Sequence, residues 1–249
     1  MRANPSHRAD VPKAASRPLA RRSCRTLIRT TSLPTVLLFG LERSVYTRIA
    51  RLALEEKQIS YSLQEVEIFG AGGVPEEHLK RHPFGRIPVL QCGALSIYET
   101  SAITRYVDEA FAGPALQPSK PLWRSRMNQV IGLLDAYAYR PMVWGVFVQR
   151  VRIPLVGGTP NEAKIASSLQ SAAVCLKALE VLLESAPFLA GEQISLADLH
   201  AFPILRYFCL APEGHSMLES HRALFRWYEV MLTRPSVFRT KSQYELAKS

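Results

Sequence analysis

The sequence predicts an α/β domain followed by an all-α domain. Between residues 35 and 112, short apolar segments alternate with segments whose apolar residues recur at helical spacing. Proline and glycine residues then mark a linker, after which only helical spacing is found. A chain of 249 residues is long enough for two modest domains. The predicted bounds are 1–34 for a basic, disordered extension, 35–112 for the α/β domain, 113–121 for the linker, 122–240 for the helical domain and 241–249 for a tail.

The α/β domain is predicted to follow the order β-α-β-α-β-β-α, which is a compact open α/β unit. Its first helix follows a turn at 41–44 and places Tyr46, Ile49 and Ala53 on one face. Its last helix opens at Glu99-Thr100. The strands are expected at 35–39, 59–68, 87–90 and 95–98, a short helix around 76–81, and a turn at Cys92-Gly93.

The helical domain contains recognisable helix starts. Its first helix spans 123–150, with an expected bend at Pro141. Residues 159–162 predict a capping box with proline at the first helical position. Ser195 and Asp198 predict a second capping box, so Asp198 is assigned to folding and not to chemistry. The last predicted helix spans 223–232.

The net charge of +10 belongs mostly to residues 1–34, which contain eight Lys or Arg residues and one acid. The remaining chain is only weakly basic, so nucleic-acid binding by the folded body is not expected. Three interpretations of the extension stay open: a disordered or artefactual segment, an organelle transit segment, or a binding segment.

The four cysteines are widely spaced and form no CxxC or Cys/His cluster. A disulfide framework or a metal site is therefore not expected, and a reducing compartment fits better. No apolar run reaches the roughly 18 residues that span a bilayer, so no membrane partner is expected. The expected location is the cytoplasm, or an organelle if residues 1–34 are a transit segment.

The segment from Phe84 to Thr100 indicates the kind of ligand. Pro88 stands at a strand entrance, and a strand-to-helix turn follows at Glu99-Thr100. Such a turn offers backbone N–H groups and a hydroxyl, which can hold a carboxylate. These residues favour a small anionic, peptide-like ligand over a metal ion or a nucleotide.

Six short motifs lie between Thr35 and Arg239. They are Ser44-Val-Tyr-Thr-Arg48, His82-Pro-Phe-Gly-Arg-Ile-Pro88, Tyr98-Glu-Thr-Ser-Ala-Ile103, Phe188-Leu-Ala-Gly191, Ser195-Leu-Ala-Asp-Leu-His200 and Thr233-Arg-Pro-Ser236. Together they resemble the cytosolic glutathione S-transferase family, and its phi-like, serine-type branch in particular. The resemblance implies a thioredoxin-like domain that binds glutathione and an all-α domain that binds the second substrate. It also implies a detoxification enzyme that conjugates glutathione to hydrophobic electrophiles, and a homodimer.

The resemblance places Ser44 at the family's catalytic serine. Its hydroxyl and the N-terminal end of the first helix would stabilise the glutathione thiolate. The residue type alone favours a plain helix cap at Ser44, whereas the surrounding motifs favour the catalytic role. Tyr46 is a competing hydroxyl, but its place in the apolar pattern favours core packing.

The resemblance also identifies residues that bind glutathione. Glu99 and Thr100 match the pair that holds the γ-glutamyl end, and Thr100 can cap its helix at the same time. Ile87 and Pro88 match the segment whose backbone pairs with the cysteinyl part, with Pro88 in the cis form. Arg86 stands where this branch usually has glutamine and could reach a ligand carboxylate.

One departure concerns the glycyl end of glutathione, for which the phi-like branch uses a His-Lys pair. Gly73 and Val74 stand at those positions, so Arg86, Lys80 or Arg81 would have to replace the pair. This departure keeps open a glutathione-binding or regulatory protein with little turnover. A glutathione-dependent isomerase, peroxidase or dehalogenase also stays open, since each begins from the same bound thiolate.

The electrophile site is predicted from register alone. The candidate residues are Leu41, Val151 and Leu155, for which core packing is an equally good interpretation. The six histidines are scattered without HxxxH or HExxH spacing, so no metal is expected there.

Overall fold

The computed structural model describes residues 35–183 and 186–246. The predicted extension at 1–34 and the last residues of the predicted tail lie outside the described residues. The α/β part consists of β1 (Val36–Gly40), α1 (Val45–Glu56), β2 (Ser62–Glu65), α2 (Glu76–Arg81), β3 (Val89–Cys92), β4 (Leu95–Tyr98) and α3 (Thr100–Ala110). This order confirms the predicted thioredoxin-like α/β unit.

The helical part begins with α4 (Pro121–Leu133) and continues through two π-helical segments (Leu134–Ala138 and Arg140–Arg152) into α5 (Ile153–Leu155). Pro141, where the sequence predicts a bend, lies within the second π-helical segment, and π-helical turns are frequent at functional sites. The remaining helices are α6 (Glu162–Leu183), α7 (Leu196–Phe208), α8 (Pro212–Ser220), α9 (Arg222–Leu232), α10 (Pro235–Arg239) and α11 (Gln243–Leu246).

The four strands form one mixed sheet in the order β2-β1-β3-β4. Strand β1 pairs in parallel with β2 and antiparallel with β3, and β3 forms a hairpin with β4. Gly40 ends β1 where α1 comes so close that a Cβ atom would lie 2.4 Å from Thr47 Oγ1. This close approach holds the start of α1 beside the end of β1, and no side chain could take the place of Gly40 without a shift.

Helix α7 lies in the middle of the core and begins at the predicted capping box. Ser195 accepts a hydrogen bond from the Ala197 N–H, and Asp198 accepts one from the Ser195 N–H. The buried Asp198 carboxylate also accepts hydrogen bonds from the Leu189 N–H and from Trp227 Nε1. The Ser195 hydroxyl also donates to this carboxylate at 2.8 Å, so four donors surround it, as its assignment to folding predicts.

Helix α6 is long and apolar enough to cross a membrane by length and composition alone, a test that the core helix of a soluble protein also passes. In the structure, one face of α6 is buried, and this face contains Ile165, Leu176 and Leu179. The helix contacts the second π-helical segment and α9 along this face.

The predicted bounds of the second strand and the predicted cap of α6 are wrong. The second strand covers only Ser62–Glu65 of the predicted 59–68, and these residues form ladder pairs with residues 37–40 of β1. Helix α6 is capped by Asn161, whose Oδ1 accepts from the Lys164 N–H at 2.9 Å, and not by Thr159. Asparagine caps as well as serine does and stands directly before the first helical residue.

The chain beyond Thr240 is set apart as a tail in the sequence prediction, but it forms α11. Glu245 of α11 is buried and forms ion pairs with Arg48 of α1 and Arg206 of α7. Its Oε1 also accepts from the Ser242 N–H at 3.0 Å. These contacts bind the end of the chain to the same helix that begins at Ser44.

Candidate active site

A cavity of about 560 Å³ lies between the α/β part and the π-helical segments that follow α4. We call it the larger cavity. It brings together all six residues that the resemblance assigns to catalysis and glutathione binding. Its lining consists of Ser44, Tyr46, Ile68, Phe69, His82, Arg86, Ile87, Pro88, Glu99, Thr100, Ser101, Asp135, Tyr139, Arg140 and Trp144.

Ser44 is the N-cap of α1 and lines this cavity. Its Oγ accepts a hydrogen bond from the Thr47 N–H at 3.3 Å. Capping uses a lone pair of the oxygen and leaves the hydroxyl proton free to donate. The first N–H groups of α1 have no partner within the helix, and the positive end of the helix dipole lies here. Ser44 can therefore cap its helix and donate to an anion at the same time.

The junction between β4 and α3 has an unusual backbone. Glu99 has φ +70° and ψ 114°, a region that residues other than glycine rarely adopt. Strain of this kind costs about 1–3 kcal/mol and is concentrated at functional sites. Here it turns the chain so that the exposed Glu99 carboxylate and the buried Thr100 hydroxyl both lie at the start of α3.

The segment before β3 presents its backbone to the cavity. The Ile87–Pro88 peptide bond is cis, as the resemblance implies. Both residues are buried and lie before the first ladder position of β3. The preceding carbonyl, that of Arg86, lies 2.7 Å from Nε2 of the buried His78, which fixes the chain at the strand entrance.

Two cations line the larger cavity, and one of them was missed by sequence reasoning. Arg86 and Arg140 both line it. Lys80 instead pairs with Glu76 and Glu77 on the surface, and Arg81 stacks on the Phe39 ring at 4.4 Å. Gly73 and Val74, which stand in place of the family's His-Lys pair, do not line the cavity.

A polar network on the cavity wall was also missed. Tyr46 donates its hydroxyl to Asp135 Oδ1 at 2.9 Å, and His200 Nε2 lies 2.8 Å from the same oxygen. Burial and the Asp135 carboxylate raise the pKa of Tyr46, so this hydroxyl stays protonated. The expected core packing of Tyr46 is only partly found, since its ring packs on Tyr139 at 4.6 Å while the residue lines the cavity.

Asp135 keeps its charge although it is partly buried. Burial alone would raise the pKa of this carboxyl group, but the hydrogen bonds from His200 and Tyr46 lower it below its ordinary value. His82, on the opposite wall, has its pKa lowered mainly by burial and is therefore a neutral ring at neutral pH. No motif in the sequence points to Asp135, because its partners lie 65 and 89 residues away.

A second cavity of about 60 Å³ adjoins the first, and we call it the smaller cavity. Ser44, Phe69, Tyr139 and Trp144 line both cavities. The other lining residues of the smaller cavity are Arg43, Val45, Val143, Phe147, Val148, Arg152, Tyr207 and Tyr244.

The residues predicted for the electrophile site lie elsewhere. Leu41, Val151 and Leu155 line neither of the two cavities. Leu41 is buried in the core beside the end of β1, and Leu155 is 68% exposed at the end of α5. The prediction from register assumed a regular helix through this region, and the π-helical turns change which side chains face the cavity. Among the described residues, no group of His, Cys, Asp and Glu side chains is placed to hold a metal ion.

Comparison with known proteins agrees with this geometry. Residues 38–115 match the family model "Glutathione S-transferase, N-terminal domain", and residues 137–235 match "Glutathione S-transferase, C-terminal domain". Glutathione S-transferase 4 of Zea mays is 30% identical over 204 residues, which cover 82% of this chain and 90% of that protein.

Two solved structures extend the comparison to three dimensions. Glutathione transferase F7 from Populus trichocarpa superposes with a TM-score of 0.74 at 26% identity, covering 83% of this chain and 97% of that one. Glutathione S-transferase I from mais, in complex with an atrazine glutathione conjugate, gives 0.73 at 27% identity, covering 86% and 98%. The chain belongs to the glutathione S-transferase family, in its phi-like branch, and is a glutathione transferase with glutathione as its cosubstrate.

Proposed function

We propose that Ser44 activates glutathione for conjugation to hydrophobic electrophiles by donating a hydrogen bond to the thiolate. The observation that supports this role is the position of Ser44 at the N-terminus of α1, where both cavities meet. Its hydroxyl oxygen accepts from Thr47, and no hydrogen bond runs from this hydroxyl to another of the described residues.

The energetic need for such a donor follows from the chemistry of the thiol. A free thiol has a pKa of about 8.5, so only a few per cent is ionised at neutral pH. The Ser44 hydroxyl and the N-terminal N–H groups of α1 stabilise the anion and thereby lower the thiol pKa. The thiol proton leaves to water, and the thiolate electron pair forms the new bond to the electrophile, whose leaving group departs with its own bonding pair.

The remaining residues of the larger cavity orient the tripeptide. Glu99 accepts from the γ-glutamyl ammonium group, and the Thr100 hydroxyl with the first N–H groups of α3 binds the adjacent carboxylate. Ile87 and Pro88 present backbone to the cysteinyl part. At the glycyl end, Arg86 and Arg140 take the place of the family's His-Lys pair, since a guanidinium group can bind a carboxylate through two parallel hydrogen bonds.

The test separates the donor role of Ser44 from its capping role. Aspartate caps a helix as well as serine does, whereas Ser44→Ala removes the cap at a cost of about 0.5–2 kcal/mol. Ser44→Asp should therefore unfold like the wild type but place a negative charge beside the thiolate. Ser125→Ala, on an exposed part of α4, is the matched control.

We expect both Ser44 variants to lose about 10- to 100-fold in kcat, the Asp variant at least as much as the Ala variant. Ser125→Ala should retain wild-type turnover. An Asp variant with wild-type stability and wild-type activity would show that Ser44 is only a cap.

We also propose that the protein is a cytoplasmic homodimer that acts in detoxification. The resemblance implies the dimer, and exposed apolar side chains on β4, α4 and α6 support it, since such residues commonly mark interfaces. The absence of a cysteine framework from the sequence supports a reducing compartment. Sedimentation at micromolar concentration should show twice the chain mass of 27.9 kDa, and a lone species of that mass would contradict the dimer.

A further inference from the structure

The smaller cavity has a composition that selects among electrophiles. We propose that the preferred electrophile is a flat aromatic compound with an anionic substituent, and that this substituent enters the smaller cavity to pair with Arg152. The inference rests on the proposed function of Ser44, because it places the reacting carbon where the two cavities meet. It adds a substrate class that the fold alone does not specify.

Aromatic side chains form the walls of the smaller cavity. The Phe147 ring lies 4.6 Å from that of Tyr207 and 5.2 Å from that of Tyr244, both edge to face. At the boundary with the larger cavity, Phe69 and Trp144 lie 6.2 Å apart. Aromatic rings pack well on one another, so these walls favour a flat aromatic substrate over a flexible aliphatic one.

The size of the smaller cavity decides which part of the substrate it takes. Its volume is about 60 Å³, whereas a cavity known to bind benzene has about 150 Å³. A whole ring does not fit, but a substituent of a few atoms does. The ring itself then lies at the junction, beside Ser44 and between Phe69 and Tyr139.

The charge of the smaller cavity decides the nature of that substituent. Arg43 and Arg152 both line it, and the nearby carboxylate of Glu67 pairs with Arg43. Arg152 lies over the Phe69 ring at 5.9 Å and close enough to Glu67 for its charge to act on that carboxylate. The two side chains do not form an ion pair, and Arg152 pairs with no other carboxylate in the described part of the chain. Two guanidinium groups thus face one carboxylate, and a substrate anion would balance the remaining charge.

The other basic residues of the second π-helical segment do not compete with Arg152 for the same anion. Arg150, two residues before Arg152, is already paired with Glu162 and Glu213. Arg140 lines the larger cavity and not the smaller one. The half-buried Arg152 is therefore the group that distinguishes an anionic substrate from a neutral one of the same shape.

The reaction for such a substrate is an aromatic substitution. The glutathione thiolate attacks the ring carbon that bears a halide, a carbon–sulfur bond forms, and the carbon–halide bond breaks. The halide leaves with the bonding electron pair, and the thiol proton has already passed to water. No oxidant or other reactant is required.

The experiment compares a chlorodinitrobenzoate, which is anionic, with its neutral methyl ester at saturating glutathione. The two rings differ in intrinsic reactivity, so each kcat/KM is divided by the rate of the same compound with free glutathione. The full-length wild type is measured beside Arg152→Met, Arg152→Lys and Arg226→Met. Arg226 lies on an exposed face of α9, and its replacement makes the same change in net charge.

We expect the wild type to prefer the carboxylate after this correction. Arg152→Met should lower the preference about tenfold, through KM for the carboxylate, and Arg152→Lys should restore part of it. Arg226→Met should leave the preference unchanged. If the wild type and Arg152→Met showed the same preference for the carboxylate over the ester, and both still conjugated the ester, the role of Arg152 would be overturned. The proposed function of Ser44 would not be affected by that result. No enzymatic conjugation of either compound would overturn the proposed function itself.

Discussion

The larger and the smaller cavity share four residues but are built in different ways. The residues proposed to bind glutathione in the larger cavity lie at the start of α1, at the start of α3 and in the Ile87–Pro88 backbone, each of which is one short segment of sequence. The smaller cavity is formed by side chains from five separate regions of the sequence, from Arg43 to Tyr244. The proposed glutathione contacts therefore depend mostly on local backbone geometry, whereas the proposed electrophile contacts depend on tertiary packing.

The largest effect, a loss of stability, is expected at Glu245, which supports residues of both cavities. Glu245 of α11 pairs with the buried Arg48 of α1, so it connects the helix that begins at Ser44 with the segment that contains Tyr244. Glu245→Ala leaves buried Arg48 without its carboxylate and should cost about 3–5 kcal/mol of stability. Chemical denaturation measures this free energy. Glu162→Ala, which breaks the exposed pair with Arg150, is the control and should change stability far less.

The Glu245 carboxylate should also make the stability of the protein depend on pH. Burial would raise the pKa of Glu245, but Arg48 and the Ser242 N–H lower it below its ordinary value of 4.5. The unfolded chain then binds more protons than the folded one, so this contribution is complete above about pH 5 and is lost as the pH falls through the lowered value. Glu245→Gln should weaken this loss of stability on acidification. An unchanged acid profile in this variant would contradict the assignment.

The next prediction tests whether the larger cavity binds glutathione but not the electrophile. Glu99→Gln keeps the shape of the side chain but removes the charge that the γ-glutamyl ammonium group needs. The KM for glutathione should rise about 10- to 100-fold, as expected for a lost hydrogen bond to a charged group. The KM for the electrophile should stay within about twofold in steady-state kinetics with each substrate varied in turn. A matching rise for the electrophile would break the division between the cavities.

The converse prediction concerns the smaller cavity, where a change should affect the electrophile but not glutathione. Tyr244→Ala removes a ring that packs on Phe147 and Tyr207. We expect KM for an aromatic electrophile to rise by up to about tenfold, in the range of a few lost apolar contacts. The KM for glutathione should not change, and isothermal titration with glutathione provides an independent check. Weaker glutathione binding in this variant would mean that the cavities are coupled.

The smallest effect is expected at a residue that the sequence assigned to the electrophile site. Leu155 is 68% exposed and lines neither cavity. Leu155→Ala should leave both KM values unchanged and alter the free energy of unfolding by no more than about 0.5 kcal/mol. A clear rise in KM for hydrophobic electrophiles would restore the original assignment.

The sequence predictions are correct where local residues determine the structure and incorrect where tertiary contacts determine it. The capping box at Ser195 and Asp198 is confirmed because its residue types, spacing and apolar neighbours are all local. The strand-to-helix turn at Glu99-Thr100 is found for the same reason. At 159–162 the local signal was ambiguous, since two residues that can cap a helix stand two positions apart, and Asn161 is the one used.

The residues that sequence reasoning missed are joined over long distances. Asp135 reaches the site through the π-helical turns after α4, and its partners Tyr46 and His200 come from α1 and α7. Arg152 lies at the end of the second π-helical segment, where a regular helical register places the wrong side chains in the cavity. No periodicity in the sequence signals these turns. The network around Asp135 and the position of Arg152 could therefore be found only from the tertiary structure.

The proposed role of Ser44 is tested most directly by the ionisation of bound glutathione. Titration of the thiolate absorbance in the saturated complex measures the thiol pKa in the wild type, Ser44→Ala and Ser44→Asp. The wild-type value should lie well below the free value of about 8.5. It should rise by about one unit in Ser44→Ala, as expected for a lost charge-assisted hydrogen bond, and at least as far in Ser44→Asp. The same thiol pKa in all three proteins would contradict the role of Ser44.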